Sequence, residues 1–324
     1  MINTSIIIFA LFLLAFGGFA AYDLATARKD KVVYRVKSSV TAYLMLLPAI
    51  VLAFLFVMLP ILYSLGYAFT DYYLLKPNDI SFIQLQNFKD FFEELATKGT
   101  LYNAIKNTLT FVVGVVPLQI GLALLLALFV NRQGLGSKIF KVCFFAPVVI
   151  SLSVTAFLWE QILAPGPDGL LNSIIGIFGM APHDWLRDPK TAMPCIILLS
   201  AWQGCGYQML IFLSGLANIR KDLYEAAALD GANWWRKFWL VTWVGLRSTF
   251  VYILITVFIG ACRILTQPML MTGYMDHTVT LSYYMYNKGY TERWVGYSSA
   301  VALLMTIFIG GITLIQRRLF REEK

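Results

Sequence analysis

The residues of this 324-residue chain that could do chemistry are polar groups set inside apolar stretches, and their types suit binding rather than bond-making. Gln203 and Tyr207 are four apart, as are Gly204 and Gln208, so each pair shares a helix face; Tyr252 and Thr256 repeat that spacing, and Gln119 lies two residues past Pro117. Amides and hydroxyls can trade hydrogen bonds with a hydroxyl-rich solute, and tyrosine faces can stack on sugar rings. The same side chains also bridge neighbouring helices in lipid, so that alternative stands beside the first. Arg263 has two readings as well. It either snorkels to a membrane interface or faces a cavity and attracts an anionic solute.

Catalytic constellations are missing from the sequence. It contains no GxxxxGK[ST] to cradle nucleotide phosphates and no HExxH, and its two histidines, His183 and His277, lie in separate loops without clustered ligands. Cys143, Cys195, Cys205 and Cys262 show no CxxC spacing, so they read as packing residues rather than a metal site or disulfide framework. Glu160 is the main acid inside an apolar stretch, whereas ion-coupled carriers usually bury several. The expectation is a chain that is not itself an enzyme, with no metal and no cofactor of its own.

Lipid is the environment that positions these residues. Hydrophobic residues make up 59% of the chain and charged ones 14%, and mean hydropathy is +0.69. Seven apolar stretches have the length a helix needs to cross roughly 30 Å of hydrocarbon: about 5–22, 41–69, 104–130, 139–163, 191–217, 243–265 and 296–316. Backbone groups in lipid must be satisfied within the segment, so the fold class is an all-α polytopic transmembrane bundle. Pro48, Pro60, Pro117 and Pro147 fall inside spans and predict kinks rather than ends. The organisation is an amino-terminal anchor with a basic loop over 1–40, then a six-helix core over 41–324.

Basic residues set the orientation. Arg28, Lys29, Lys31, Arg35 and Lys37; Arg132, Lys138 and Lys141; Arg220, Lys221, Arg236, Lys237 and Arg247; and Arg317, Arg318, Arg321 and Lys324 fall in alternate loops, which places those loops and the carboxyl terminus in the cytoplasm and the amino terminus outside. No basic residue precedes the first apolar stretch, so an uncleaved anchor is favoured over a cleaved signal. The net charge of +8 is accounted for by this cytoplasmic face, without nucleic acid.

The cytoplasmic loop 218–242 is built for docking. Asp222 precedes Glu225 by three residues, the spacing of a capping box, and predicts a helix start. Glu225, Ala226, Ala227, Ala228 and Leu229 continue it with a smooth face that a partner can approach closely. Gly231, after Asp230, allows the left-handed turn that ends it.

This EAAxxDGA run, Glu225 to Ala232, followed by the basic and aromatic Asn233–Leu240, resembles the EAA loop of binding-protein-dependent ABC importer permeases. Trp202–Leu216 and Leu281–Tyr286 extend the similarity, which is closest to the oligosaccharide, maltose and glycerol-phosphate type. The resemblance implies a permease of the bacterial inner membrane, working by alternating access on a sugar-like, in some cases acidic, solute. It implies a second homologous permease, two cytoplasmic ATPase subunits that use ATP and Mg, and an external solute-binding protein. Glu225, Ala226, Ala227, Asp230 and Gly231 would then couple to the ATPase. The sequence departs from that pattern at Arg220, where proline is common, at Trp243-Val244 in place of Leu-Pro, and at Gly273-Tyr274-Met275 in place of Gly-Gly-Pro. An ion-coupled secondary transporter is the alternative function.

Overall fold

The computed structural model describes residues 17–18, 33–131 and 135–320. The expected first span, apart from Gly17 and Gly18, lies outside them, as do Arg28, Lys29, Lys31, Arg132, Arg321 and Lys324. In chain order the helices are α1 (Val33–Ala53), a π-helical turn (Phe54–Met58), α2 (Leu59–Tyr67), α3 (Gln86–Ala96), α4 (Thr100–Val130), α5 (Leu135–Val149), α6 (Leu152–Ile162), α7 (Leu170–Ile177), α8 (Ala192–Ala217), α9 (Lys221–Leu229), α10 (Trp234–Lys237), a second π-turn (Phe238–Thr242), α11 (Trp243–Cys262), α12 (Thr266–Met271), α13 (Leu281–Tyr286), a third π-turn (Asn287–Thr291) and α14 (Val295–Leu319). Among the described residues there are isolated β-bridges but no named strands.

Among the described residues, five stretches are helical, long and apolar enough to cross a membrane: Ala42–Tyr67, Thr100–Val130, Ala192–Ala217, Trp234–Met271 and Val295–Leu319. Each covers one expected span. Pro60 shows why the first of them is not a plain α-helix. Its missing N–H and its ring act on the carbonyl four residues back, on Phe56, and Phe56 sits in the π-turn that absorbs the disturbance.

The span expected over 139–163 is instead broken. α5 and α6 meet at 100°, so the kink expected at Pro147 is an end: α5 stops two residues later, at Val149. Ser151 then takes an extended conformation (φ −59°, ψ 142°), and its hydroxyl accepts from the Val154 N–H as the cap of α6. Proline tolerance inside a span depends on neighbours accepting the freed groups. Here a local cap restarts the helix in a new direction.

The described residues form two compact units, one running to Asn87 and including Trp294–Ala300, the other comprising Phe88–Arg293 and the residues from Val301 on. In the first, the Asn87 side-chain amide donates to the carbonyls of Ala68 and Thr70, both at 2.9 Å, and Tyr73 bridges Trp294. In the second, α4 packs along α8 more extensively than any other two helices pack, and α11 lies against both. Two apolar clusters hold these helices, one around Phe111, Ile196, Leu199 and Phe258, the other around Ala123, Met209, Phe212 and Ile253. Both candidate sites lie within this second unit.

Candidate functional site: a polar cavity and an exposed helix

The packing of α4, α8 and α11, together with the broken α5–α6 corner, leaves an open cavity of about 820 Å³. Gln119, Gln203, Gln208, Thr256 and Arg263 line it, so five of the seven polar candidates converge on one space. Gln119 donates to the Gln208 side-chain carbonyl at 3.1 Å, and both residues are buried. Gly204 makes room for them. A Cβ at position 204 would stand 2.2 Å from the Gln119 amide nitrogen, so only glycine lets that side chain lie across α8.

Gln203 has a different task. Its amide donates to the Ile150 carbonyl at 3.3 Å and to the Thr155 hydroxyl at 3.2 Å, across the corner between α5 and α6. A carbonyl freed by the break is thereby satisfied, as a buried or lipid-facing backbone group requires. Thr256 bonds back to its own helix, its hydroxyl donating to the Tyr252 carbonyl at 2.9 Å. The helix-bridging and cavity-lining readings of these residues are therefore not exclusive: Gln119, Gln203 and Gln208 do both.

Tyr207 and Tyr252 do not join the other five candidates. Tyr207 is 51% exposed and lies outside the cavity, while Tyr252 lines a separate recess of about 500 Å³ with Ser214, Asn218 and Thr249. Four residues advance about 6 Å along a helix and about 40° around it, enough to carry a side chain past the rim of a cavity that its i±4 neighbour lines. Among the described residues, the only aromatic one lining the cavity is Phe111, and it is buried. Sequence reasoning also missed Ser200, Thr266 and Gln267 in the lining. Gln267 sits on α12, beyond the helix break at Arg263–Leu265, so helical spacing from Arg263 does not report it.

Among the described residues, Arg263 is the only ionisable one lining the cavity. It caps α11 at the carboxyl end, where a cation complements the helix dipole, and its backbone N–H donates to the Gly260 carbonyl at 3.1 Å. Among the described residues no carboxylate forms an ion pair with it. The cavity thus presents amides and hydroxyls around one unneutralised positive charge.

The second site is α9. The helix begins two residues earlier than the capping-box reading requires: Arg220, extended at φ −63° and ψ 134°, is the cap residue, with no side-chain cap bond. Asp222 is already inside the first turn, where its carboxylate accepts from the Leu223 N–H and pairs with the Arg220 guanidinium. It acts through charge at the helix amino terminus rather than as a cap.

At the other end the expectation for Gly231 holds. Its φ is +72°, and its N–H donates to the Ala228 carbonyl at 3.1 Å, while Ala232 donates to Ala227 at 2.9 Å. Together these two bonds make a Schellman closure, which satisfies carbonyls the helix end would otherwise leave free. Between the two ends Glu225, Ala226, Ala228 and Asp230 are exposed and Leu229 is 90% exposed. Tyr224 was not singled out from the sequence, yet its hydroxyl shares a 2.9 Å hydrogen bond with buried Thr242, fastening α9 to the π-turn that leads into α11.

No group of His, Cys, Asp and Glu residues among the described ones has metal-binding geometry. His183 bridges Asp188 at 3.0 Å in its loop. Cys205 and Cys262 are buried packing residues as expected, whereas Cys143 is exposed.

A family model described as binding-protein-dependent transport system inner membrane component matches residues 119–322. A probable ABC transporter permease protein, YesP of Bacillus subtilis (strain 168), is 33% identical over 285 residues, covering 86% of this chain and 90% of that one. An arabinooligosaccharides transport system permease protein, AraP of the same organism, is 32% identical over 247 residues, covering 75% and 77%. Among solved structures, a chain of a bacterial alginate ABC transporter, in complex with an alginate pentasaccharide-bound periplasmic protein, superposes with a TM-score of 0.76 at 23% identity, covering 90% of this chain and 97% of that one.

Proposed function

This chain belongs to the family of binding-protein-dependent transport system inner membrane components, and from that membership we propose that it is the permease through which an ATP-driven importer passes an acidic saccharide. It is a multi-pass membrane protein. The observation that supports the cargo class is the cavity itself: neutral hydrogen-bonding groups from Gln119, Gln203, Gln208 and Thr256 surround Arg263, the one fixed charge among the described residues that line it. Hydroxyls of a sugar would exchange bonds with the amides, and a carboxylate would meet the guanidinium. The names of AraP and of the alginate transporter carry saccharide substrates, neutral in the first and acidic in the second.

The work would enter through α9. Glu225, Ala226, Ala227, Asp230 and Gly231 would seat in a cytoplasmic ATPase subunit, with a second homologous permease doing the same beside it. ATP and Mg would be used by those subunits and not by this chain. Closure of the ATPase pair would carry both helices together and turn the cavity toward the external binding protein, and hydrolysis would return it. The carboxyl terminus lies in the cytoplasm and the amino terminus outside on this reading. Family membership weighs against the ion-coupled alternative, which would predict uptake that survives loss of the ATPase and fails with an uncoupler.

Uptake by the complete transporter in proteoliposomes tests the cargo reading. Arg263→Gln is expected to lower uptake of a uronate oligosaccharide about tenfold and leave a neutral oligosaccharide of the same length unchanged. Equal uptake of both by the parent and the variant would contradict it.

A further inference from the structure

The aromatic run that follows α9 does not line the cavity. Its rings form a continuous ladder: Trp234 and Trp235 each stack on Phe238 at 6.1 Å, Trp235 meets Trp239 at 5.8 Å, Trp239 meets Trp243 at 5.8 Å, and Trp243 meets Phe250 at 5.0 Å. One end of the ladder, at Trp243 and Phe250, is half-buried. The other is open, with Trp234 68%, Trp235 59% and Leu240 65% exposed. In water a contiguous patch of this kind marks an interaction surface.

Two further observations identify what covers it. Arg236 and Lys237 sit among these rings, and among the described residues neither forms an ion pair, although Arg220 in the same loop is paired with Asp222. The other acids of the loop, Glu225 and Asp230, belong to α9 and its cap. The backbone also runs without a break from α10 through the π-turn into α11, whose 20 residues rise roughly 30 Å, the thickness of the hydrocarbon core. The ladder therefore falls at the end of a span, at the depth of the lipid headgroups. Indole rings are favoured there because one edge is apolar and the other donates a hydrogen bond, and basic side chains there meet phosphates.

We propose that Trp234–Leu240 is a lipid-binding surface, with its indoles and Leu240 seated at the glycerol level of the bilayer and Arg236 and Lys237 holding anionic phospholipid headgroups. The lipid contact depends only on the chain being a membrane protein. One consequence rests on the coupling role proposed above: a loop pinned at this depth would pass movement of α9 into α11 through the Tyr224–Thr242 bond instead of absorbing it.

Depth is measured with the complete transporter in nanodiscs, in a Cys143→Ser background, carrying a fluorophore at Leu240→Cys or at Ala228→Cys on α9. Lipids brominated near the carbonyl end of the acyl chain are expected to quench the label at 240 at least twofold and to leave the label at 228 unchanged. An unquenched label at 240, shielded instead when ATPase subunits are added, would overturn the proposal. Retention of phosphatidylglycerol, read by native mass spectrometry, is expected to fall severalfold in the Arg236→Gln/Lys237→Gln variant; unchanged retention would remove the headgroup part. Binding of ATPase subunits, scored separately, distinguishes the two readings: lost docking with intact quenching would sink the coupling role and leave the lipid surface standing.

Discussion

The cavity and the α9 loop are built in opposite ways. Around the cavity, polar side chains are held by one another and by neighbouring helices: Gln119 on Gln208, and Gln203 on the Ile150 carbonyl and Thr155. On α9, nearly every side chain is turned outward, and among the described residues one side-chain hydrogen bond, shared by Tyr224 and Thr242, fastens the helix to the next element. A site that must hold its shape around a solute uses cross-bracing. A surface awaiting a rigid partner needs only a well-terminated helix, because the partner supplies the rest of the packing.

If that contrast is right, changes in the two regions should fail differently. The largest effect is expected from Gly231→Val. A non-glycine residue held left-handed costs about 1–2 kcal/mol, more when β-branched, and no neighbouring atom stands within 4 Å of the site, so the strain is in the backbone alone. Loss of most solute-stimulated ATPase activity, with normal membrane insertion and an unchanged melting temperature of the helical core, is the expected pattern. A lowered core melting temperature would erase the distinction between the regions.

Gly204→Leu should do the reverse. The side chain would drive Gln119 off Gln208 and overpack the α4–α8 contact, at about 1–3 kcal/mol, with a further 1–3 kcal/mol for a buried amide left unpaired. Thermal unfolding in detergent should shift downward by several degrees, while ATPase subunits are still retained. An unshifted transition would mean that the bracing contributes little.

Tyr224→Phe is the smallest change and sharpens the comparison. It removes one hydrogen bond, worth about 1 kcal/mol, from the side of α9 that faces the π-turn before α11. Docking should persist while transport per ATP hydrolysed drops a few-fold. Parallel loss of both would show that Tyr224 supports the docking surface itself.

The two regions also differ in how far the sequence revealed them. Five long helices coincide with expected spans because lipid imposes a length and a composition that are visible residue by residue. The same is true of Gly231, where the turn is decided by its own φ. The 100° corner after Pro147 was read as a kink, because the outcome depends on Ser151 capping a new helix and on Gln203, 53 residues beyond Ile150, donating to the freed Ile150 carbonyl. Asp222 was read as a cap because spacing alone does not show that Arg220 is the last extended residue before the helix. Tyr207 and Tyr252 have the spacing to join Gln203 and Thr256, but the cavity's rim is set by α4, α5 and α12, which helix periodicity on α8 or α11 does not report. Local signals were legible, and those made between elements were not.

The most direct measurement is retention of the cytoplasmic ATPase subunits by the purified permease, comparing the parent chain with Glu225→Lys. Glu225 is exposed on α9 and forms no ion pair among the described residues, so charge reversal there should leave the fold intact and change only the docking face. Retention by the parent and its loss in the variant, with both chains equally stable, is the result expected. Equal retention by both would contradict the assignment of α9 as the surface through which ATP hydrolysis reaches the cavity.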